Sequence, residues 1–255
     1  MNNRKLFYKW FNHFGVLFII LLVVLSFFFI YKKIFANKIE LFESARGNRD
    51  PWDNIDIIYY INLEHRKDRN DEILSEFKKM DIPSNKIVRI DAVRNKERGA
   101  IGCSKSHIKT IETFLQSDYK NCIVFEDDFQ FSEDSNTTKT NIQNLFDEGV
   151  DFDICMISGN TIKDEPSQYP FLNKIIDSQT TSGYIVSKSF APKLLENYKE
   201  GCEMFEKTLD EPTYAVDQYW KHLQPISKWY IFNPKLGIQR PSYSDIVKQQ
   251  TDYGV

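Results

Sequence analysis

The sequence predicts an α/β fold with a mainly parallel central sheet, preceded by one transmembrane helix, and three observations lead there. From residue 55 onward, short apolar runs alternate with stretches of helical periodicity, the rhythm of parallel strands with helices on their faces. One of those runs, Cys122-Ile123-Val124-Phe125, passes directly into Glu126-Asp127-Asp128. Open α/β sheets gather ligands just beyond the carboxyl ends of their strands, so these acids stand where a site would form. Finally, Phe14 to Tyr31 is an 18-residue block without a charge, in which only Gly15 and Ser26 are not apolar.

Taken in order, residues 1–13 read as a short basic tail and residues 14–31 as a membrane anchor, since 18 residues at about 1.5 Å rise span roughly 27 Å, close to a hydrocarbon core. A cleaved signal peptide has a shorter apolar region ending at a small-x-small site, whereas this block ends Phe27-Phe28-Phe29-Ile30-Tyr31-Lys32-Lys33. Residues 32–54 are polar and lack sustained periodicity, as a stem would. One folded domain is expected over 55–255. Its strands are expected at 55–61, 86–90, 122–125, 152–158, 174–176, 183–187 and 227–232, and its helices at 68–80, 104–116, 140–147, 191–198 and 216–223. Between them, 160–169 reads as a polar loop.

Charge divides the chain. Residues 1–50 hold eight Lys/Arg against three Asp/Glu, whereas residues 51–255 hold 25 against 33. An acidic folded part lacks the phosphate contacts that nucleic acid binding requires, so no nucleic acid partner is expected. The basic flank suits a membrane surface. Flanking charge alone weakly favours a cytosolic carboxyl side. Cys103, Cys122, Cys155 and Cys202 lack metal-ligand spacing and fix no redox compartment.

Three adjacent carboxylates repel one another, by roughly 4 kcal/mol for a pair about 4 Å apart at an effective dielectric of 20. A cation, a basic partner or free solvent relieves that cost. A hard divalent ion such as Mn²⁺ or Mg²⁺ takes carboxylates together with substrate phosphates, so the triplet points to a metal bridging to a diphosphate. Along an extended segment Glu126 and Asp128 would face one way and Asp127 the other.

The triplet stands in an ordered series of blocks: Asn62-Leu63-Glu64-His65-Arg66-Lys67-Asp68-Arg69, Arg89-Ile90-Asp91-Ala92-Val93, Gly99-Ala100-Ile101-Gly102-Cys103-Ser104-Lys105-Ser106-His107, Thr181-Ser182-Gly183-Tyr184, Val216-Asp217-Gln218-Tyr219-Trp220, and Gln239 followed by Tyr243-Ser244-Asp245-Ile246. The series resembles glycosyltransferase family 25, which includes lipopolysaccharide-type sugar transferases and procollagen galactosyltransferases, and the resemblance runs from about residue 56 to about 246. It implies a GT-A type nucleotide-sugar-binding fold, a UDP-sugar donor, a glycan or protein hydroxyl acceptor, and transfer of a hexose, galactose or glucose, with inversion. It also favours a lumenal domain on a single-pass membrane protein.

Carried over by position, Glu126, Asp127 and Asp128 are the expected metal ligands for Mn²⁺ or Mg²⁺. Asn62, Leu63, Arg66, Arg69, Asp91, Ala92 and Ser106 are the expected donor-binding residues. Arg66 and Arg69 are three apart at a helix start, where guanidinium forks and free N–H groups suit diphosphate oxygens. Gly99 to His107 reads as a tight turn into a helix, with glycines for close ligand approach and Ser104 or Ser106 near its start. Inversion needs a base for the acceptor hydroxyl, and Asp217, a helix-starting carboxylate expected to stay ionised, is chosen as the catalytic residue. Gly183, Tyr184, Gln218 and Trp220 are the expected acceptor-binding residues. Two rival readings use the same residues: a nucleotidyl or phosphoryl transferase, which lacks its phosphate-binding loop here, and a membrane-tethered carbohydrate-binding or scaffolding protein without turnover.

Overall fold

The computed structural model describes residues 24–34, 50–244 and 249–251, with side chains described as far as residue 241. The chain divides into two units, residues 1–50 and 51–255. In the first, helix α1 covers residues 24–34 and exposes its apolar side chains, Phe27, Phe29 and Ile34 among them. Among the described residues no helix is long and apolar enough to cross a membrane. The expected tail at 1–13, residues 14–23 of the expected anchor and residues 35–49 of the expected stem lie outside the described residues.

The second unit starts at Pro51, inside the segment read as stem, because Trp52 is fully buried and donates its indole N–H to Met80 O at 2.8 Å. Its elements are β1 (Ile57–Asn62), α2 (Lys67–Lys79), β2 (Ile87–Asp91), α3 (Gly99–Leu115), β3 (Asn121–Glu126), β4 (Phe129–Phe131), α4 (Ser135–Asp147), β5 (Ile154–Met156), β6 (Asn160–Pro166), β7 (Leu172–Gln179) and β8 (Gly183–Ser187). There follow α5 (Ala191–Thr208), α6 (Glu211–Tyr214), α7 (Val216–Tyr219), a 3-10 segment at Trp220–Ile226, β9 (Trp229–Phe232), β10 (Gly237–Gln239), β11 (Ser242–Ser244) and β12 (Gln249–Thr251).

Eight strands form one sheet in the order β2-β1-β3-β8-β5-β9-β7-β6. The sheet is mixed rather than mainly parallel. β2, β1 and β3 run parallel and β5 pairs parallel with β9, but β8 is antiparallel to both neighbours, and β7 is antiparallel to β9 and β6. Connection length explains one of these pairs: a parallel crossover needs a dozen or more residues, and the link from β6 to β7 is far shorter, so the two form a hairpin. The loop expected over 160–169 is largely β6, an exposed edge strand whose Lys163, Asp164, Glu165 and Pro166 carry the charge and proline that blunt edges.

Both faces of the sheet are covered, which is why β1 and β3 read as unbroken apolar runs. Ile58, Tyr60, Ile123 and Phe125 pack with Phe77 of α2 and Ile142 and Leu145 of α4. The alternate residues Tyr59, Ile61, Cys122 and Val124 pack with Ile111 and Phe114 of α3 and Leu194 and Tyr198 of α5. On α2 the buried positions are Arg69, Ile73, Glu76 and Phe77, a helical stripe with two charged members. The α3 helix begins at Gly99, earlier than expected. Ser104 and Ser106 therefore lie inside it, donating to Ala100 O and Gly102 O, and cap nothing. Gly102 faces the chain's own loop: a Cβ there would stand 2.5 Å from Val93 O. The helix expected over 216–223 is broken into α7 and the 3-10 segment containing Pro225.

Candidate active site

The register pairs Asn62 with Asp91 and Ile61 with Glu126, so β1, β2 and β3 end together and bring Asn62, Asp91 and Glu126 to one edge of the sheet. Glu126 is the last residue of β3, and Asp127 and Asp128 form the turn into β4. Because the turn ends the strand's alternation, Asp127 and Asp128 share one partner instead of facing apart. Arg69 Nη1 lies 2.8 Å from Asp127 Oδ1 and 3.1 Å from Asp128 Oδ2. Asn62, buried, donates Nδ2 to Asp127 Oδ2 at 2.7 Å and accepts from Arg89 Nε at 3.0 Å. Both Asp127 oxygens are thus engaged, and burial still leaves its pKa above the ordinary value despite Arg69 and Asn62.

Asp128 is set up differently. Gln239 Nε2 reaches its Oδ2 at 3.3 Å, while Oδ1 is buried with no hydrogen-bond partner. Burial, then the charge of Glu126, pushes its pKa up to about 7, against the pull of Arg69. An aromatic cluster backs the turn: Phe125 and Phe129 rings lie 4.4 Å apart, and Phe129 and Phe131 rings 4.8 Å apart. Phe129 leaves no room for side chains at Gly183 and Gly237, where a Cβ would stand 2.9 Å and 2.3 Å from its ring.

Glu126 accepts from Thr181 Oγ1 at 2.5 Å, and its Oε1 lies 3.2 Å from His107 Nε2. His107 Nδ1 lies 3.0 Å from the Tyr184 hydroxyl, which accepts from Tyr198 at 3.3 Å. This buried line of polar groups runs from the core to the sheet edge. Burial works to raise the Glu126 pKa, but His107, Thr181 and Arg69 together hold it below the ordinary value.

A cleft of about 720 Å³ opens beside Glu126, lined also by Thr180, Thr181, Asp217, Gln218 and Gln239. Asp217 Oδ2 accepts from Thr180 N at 3.0 Å. The expectation that a helix start would simply keep Asp217 ionised gives way to burial, which raises its pKa, with Glu126 adding to the shift and the Thr180 N–H opposing it. Thr180 holds φ at +79°, strain of the kind found where a backbone is fixed around a site.

Of the residues expected from the sequence, the structure thus gathers Glu126, Asp217 and Gln218 on the cleft, joined through Gln239 to the buried group Asp128, Arg69, Asp127 and Asn62. Leu63, Arg66 and Ala92 are partly exposed beyond the strand ends, and Asp91 is exposed and paired with Arg89. Arg66 pairs with Asp68 at 2.7 Å, whereas Arg69 turns inward, so the two arginines do not act as one fork. Ser106 is buried, its hydroxyl donating to Gly102 O and accepting from Val93 N. Tyr184 and Trp220 are fully buried core residues with no ring face exposed, and Gly183 is buried against Phe129. Residues 245 and 246 of the last block lie outside the described residues. Sequence reasoning assigned no role to Thr181 or Gln239, although both stand in the ordered blocks, and none to Thr180, which precedes one.

Residues 94–220 match the family model described as glycosyltransferase family 25 (LPS biosynthesis protein). Procollagen galactosyltransferase 2 of Homo sapiens is 23% identical over 204 residues, an alignment covering 68% of this chain and 32% of that protein. Its Mus musculus counterpart aligns to the same extent. The chain therefore spans about a third of the length of the curated relatives it matches. Among solved structures, the chain is similar to a glycosyltransferase involved in the glycosylation of the major capsid of PBCV-1, at 10% identity over 75% of this chain and 95% of that one, with a TM-score of 0.44. It is also similar to mannose-1-phosphate geranyltransferase from Thermus thermophilus, at 7% identity over 74% and 75%, with a TM-score of 0.43. Likenesses this loose add nothing to the fold described above.

Proposed function

The chain belongs to glycosyltransferase family 25, and on that premise we propose that it is a metal-dependent, inverting hexosyltransferase, moving galactose or glucose from a UDP-sugar to a hydroxyl of a glycan or protein. Two carboxylates of opposite character on one cleft support this reading most. Glu126 is held below its ordinary pKa and Asp217 above it, the separation by which an electrostatic carboxylate and a proton acceptor are told apart.

The donor set fits a hard divalent ion. Glu126 and Asp128 offer oxygen, and Asp128 Oδ1 is a buried carboxylate oxygen without a partner, which a cation would satisfy. Asp127, with both oxygens taken, positions Arg69 and Asn62. Bound by Glu126 and Asp128, Mn²⁺ or Mg²⁺ would supply Lewis-acid neutralisation of the charge gathering on the leaving diphosphate.

The remaining work falls to the chain's own groups. Asp217 takes the acceptor hydroxyl proton, and its raised pKa makes it the stronger base for doing so. The acceptor oxygen bonds to the anomeric carbon from the face opposite the diphosphate, and the old carbon–oxygen bond breaks with its electron pair leaving on UDP, which inverts the centre. Thr180 N–H fixes the Asp217 carboxylate, and Thr181 and His107 fix Glu126. Gln218, held by Gln179 at 3.1 Å, offers the cleft an amide for a sugar hydroxyl.

The test is a panel of UDP-sugars with Mn²⁺ and the full chain. One hexose donor is expected to release UDP, and a chelator to stop the release. No release from any donor while UDP still binds would leave the tethered binding module standing instead. The proposal keeps residues 14–31 as a single-pass anchor, so the chain is expected to stay with membranes through alkaline carbonate extraction; its release would remove the anchor.

A further inference from the structure

Cys103 and His107 are four residues apart on α3, so their side chains stand one above the other on the same helical face. With Glu126 they form a group whose sulfur, ring nitrogen and carboxylate oxygen all lie within 4.8 Å of one another, and no second group of this kind occurs among the described residues. The donor chemistry differs from that of Glu126 and Asp128. Thiolate and imidazole are soft to borderline ligands and select zinc-like ions, while oxygen-only sets suit Mg²⁺ and Mn²⁺.

Three further features make this a built site. His107 is fully buried and its second nitrogen is held by the Tyr184 hydroxyl at 3.0 Å, the outer partner that orients a metal-bound imidazole. Cys103 and Glu126 both line the cleft, which gives an ion its way in and leaves a coordination position open to that side. Finally, the contact between His107 Nε2 and Glu126 Oε1 at 3.2 Å is one that an ion can replace.

We propose that Cys103, His107 and Glu126 form a second divalent-metal site, selective for zinc-like ions, with three protein ligands and one position facing the cleft. On binding, the Cys103 thiol releases its proton to solvent. The imidazole stays neutral by exchanging tautomers, so that Nε2 presents its lone pair and Nδ1–H faces the Tyr184 oxygen. Glu126 belongs to both sites. Where the reading of Glu126 as a ligand of the donor's ion holds, a zinc-like ion here withdraws it and inhibits transfer.

Co²⁺, a coloured stand-in for Zn²⁺, tests the site on the full chain independently of turnover. Wild type is expected to develop a near-ultraviolet thiolate-to-cobalt absorption band that one equivalent of Zn²⁺ removes and excess Mg²⁺ leaves in place. Cys103→Ser is expected to lose the band and Cys202→Ser to keep it. Glu126→Gln is expected to retain the sulfur band while binding Co²⁺ more weakly than wild type, since a carboxylate ligand is lost. No band in folded wild type, or a band that survives Cys103→Ser, overturns the site. A Cys103-dependent band on a chain that transfers no sugar would leave this site standing and remove the transferase reading. With transfer observed, Zn²⁺ is expected to inhibit wild type far more strongly than Cys103→Ser, and equal inhibition of the two overturns the shared role of Glu126.

Discussion

Replacing Asp128 by Asn should make the protein more stable and less able to bind a divalent ion. Burial and Glu126 raise the Asp128 pKa from 3.8 to about 7, so the native state holds a proton that the unfolded chain gives up. Stability then falls as pH rises from about 4 to about 7, where the unfolded state binds fewer protons than the folded one. Three units at about 1.36 kcal/mol each set a ceiling of about 4 kcal/mol on the cost of the charge near neutral pH. The pull of Arg69 is already inside that shift; the offset is the buried amide that Asn leaves where Oδ1 has no partner, about 1–3 kcal/mol, and Arg69 stays on Asp127. The expected net gain is at most about 1–3 kcal/mol at about pH 7.5, a rise in Tm of a few degrees for a unit of this size. Thermal unfolding without divalent ions, at about pH 7.5 and about pH 4.5, measures it, and the gain should shrink at the lower pH. Added Mn²⁺ should raise the Tm of wild type but not of the variant. A variant less stable than wild type at about pH 7.5, or one whose advantage does not change with pH, refutes the reasoning.

Asp217→Asn should keep UDP affinity while cutting transfer about 10²- to 10⁴-fold, the usual worth of a general base. Equal losses in binding and transfer would show that Asp217 is not the base. In wild type the acid limb of the rate profile should lie above the ordinary carboxylate range, since activity rises as Asp217 loses its proton and burial raises the pH at which it does so. A limb at ordinary carboxylate pH contradicts this. Gly237→Ala should destabilise the fold by about 1–3 kcal/mol in urea denaturation, because the added methyl meets the Phe129 ring behind the acidic turn. A neutral result would mean that the aromatic cluster yields and does not fix the turn.

The first half of the domain was legible because its signals are local. β1 and β3 carry continuous apolar runs, α2 a helical stripe and β2 a short apolar run broken by Arg89, and the acids stand at the end of β3. The hairpin of β6 and β7 was hidden because an exposed edge strand has no apolar side to announce it, so Lys163-Asp164-Glu165-Pro166 reads as loop. The short link between β6 and β7, read for length, excludes a parallel crossover there.

Within the site, the acidic triplet and Asp217 were legible as residue types, but their division of labour was not. Asp127 and Asp128 differ only in what reaches them from Asn62, Arg69 and Gln239, and those partners lie 58 to 111 residues away. The same distance conceals Arg69, whose place on the buried face of α2 follows from the acids it meets. Tyr184 and Trp220 were expected at the acceptor because aromatic rings suit sugars. Their rings instead pack with Tyr198 and Trp229 in the core, where aromatic burial is worth most.

The corner at the end of β3 is tested most directly by anomalous diffraction from crystals of the chain grown with Mn²⁺ and UDP. A manganese peak between Glu126 and Asp128, with the diphosphate of UDP on its open side, is the predicted result. A diphosphate bound elsewhere, with no manganese against either carboxylate, contradicts it.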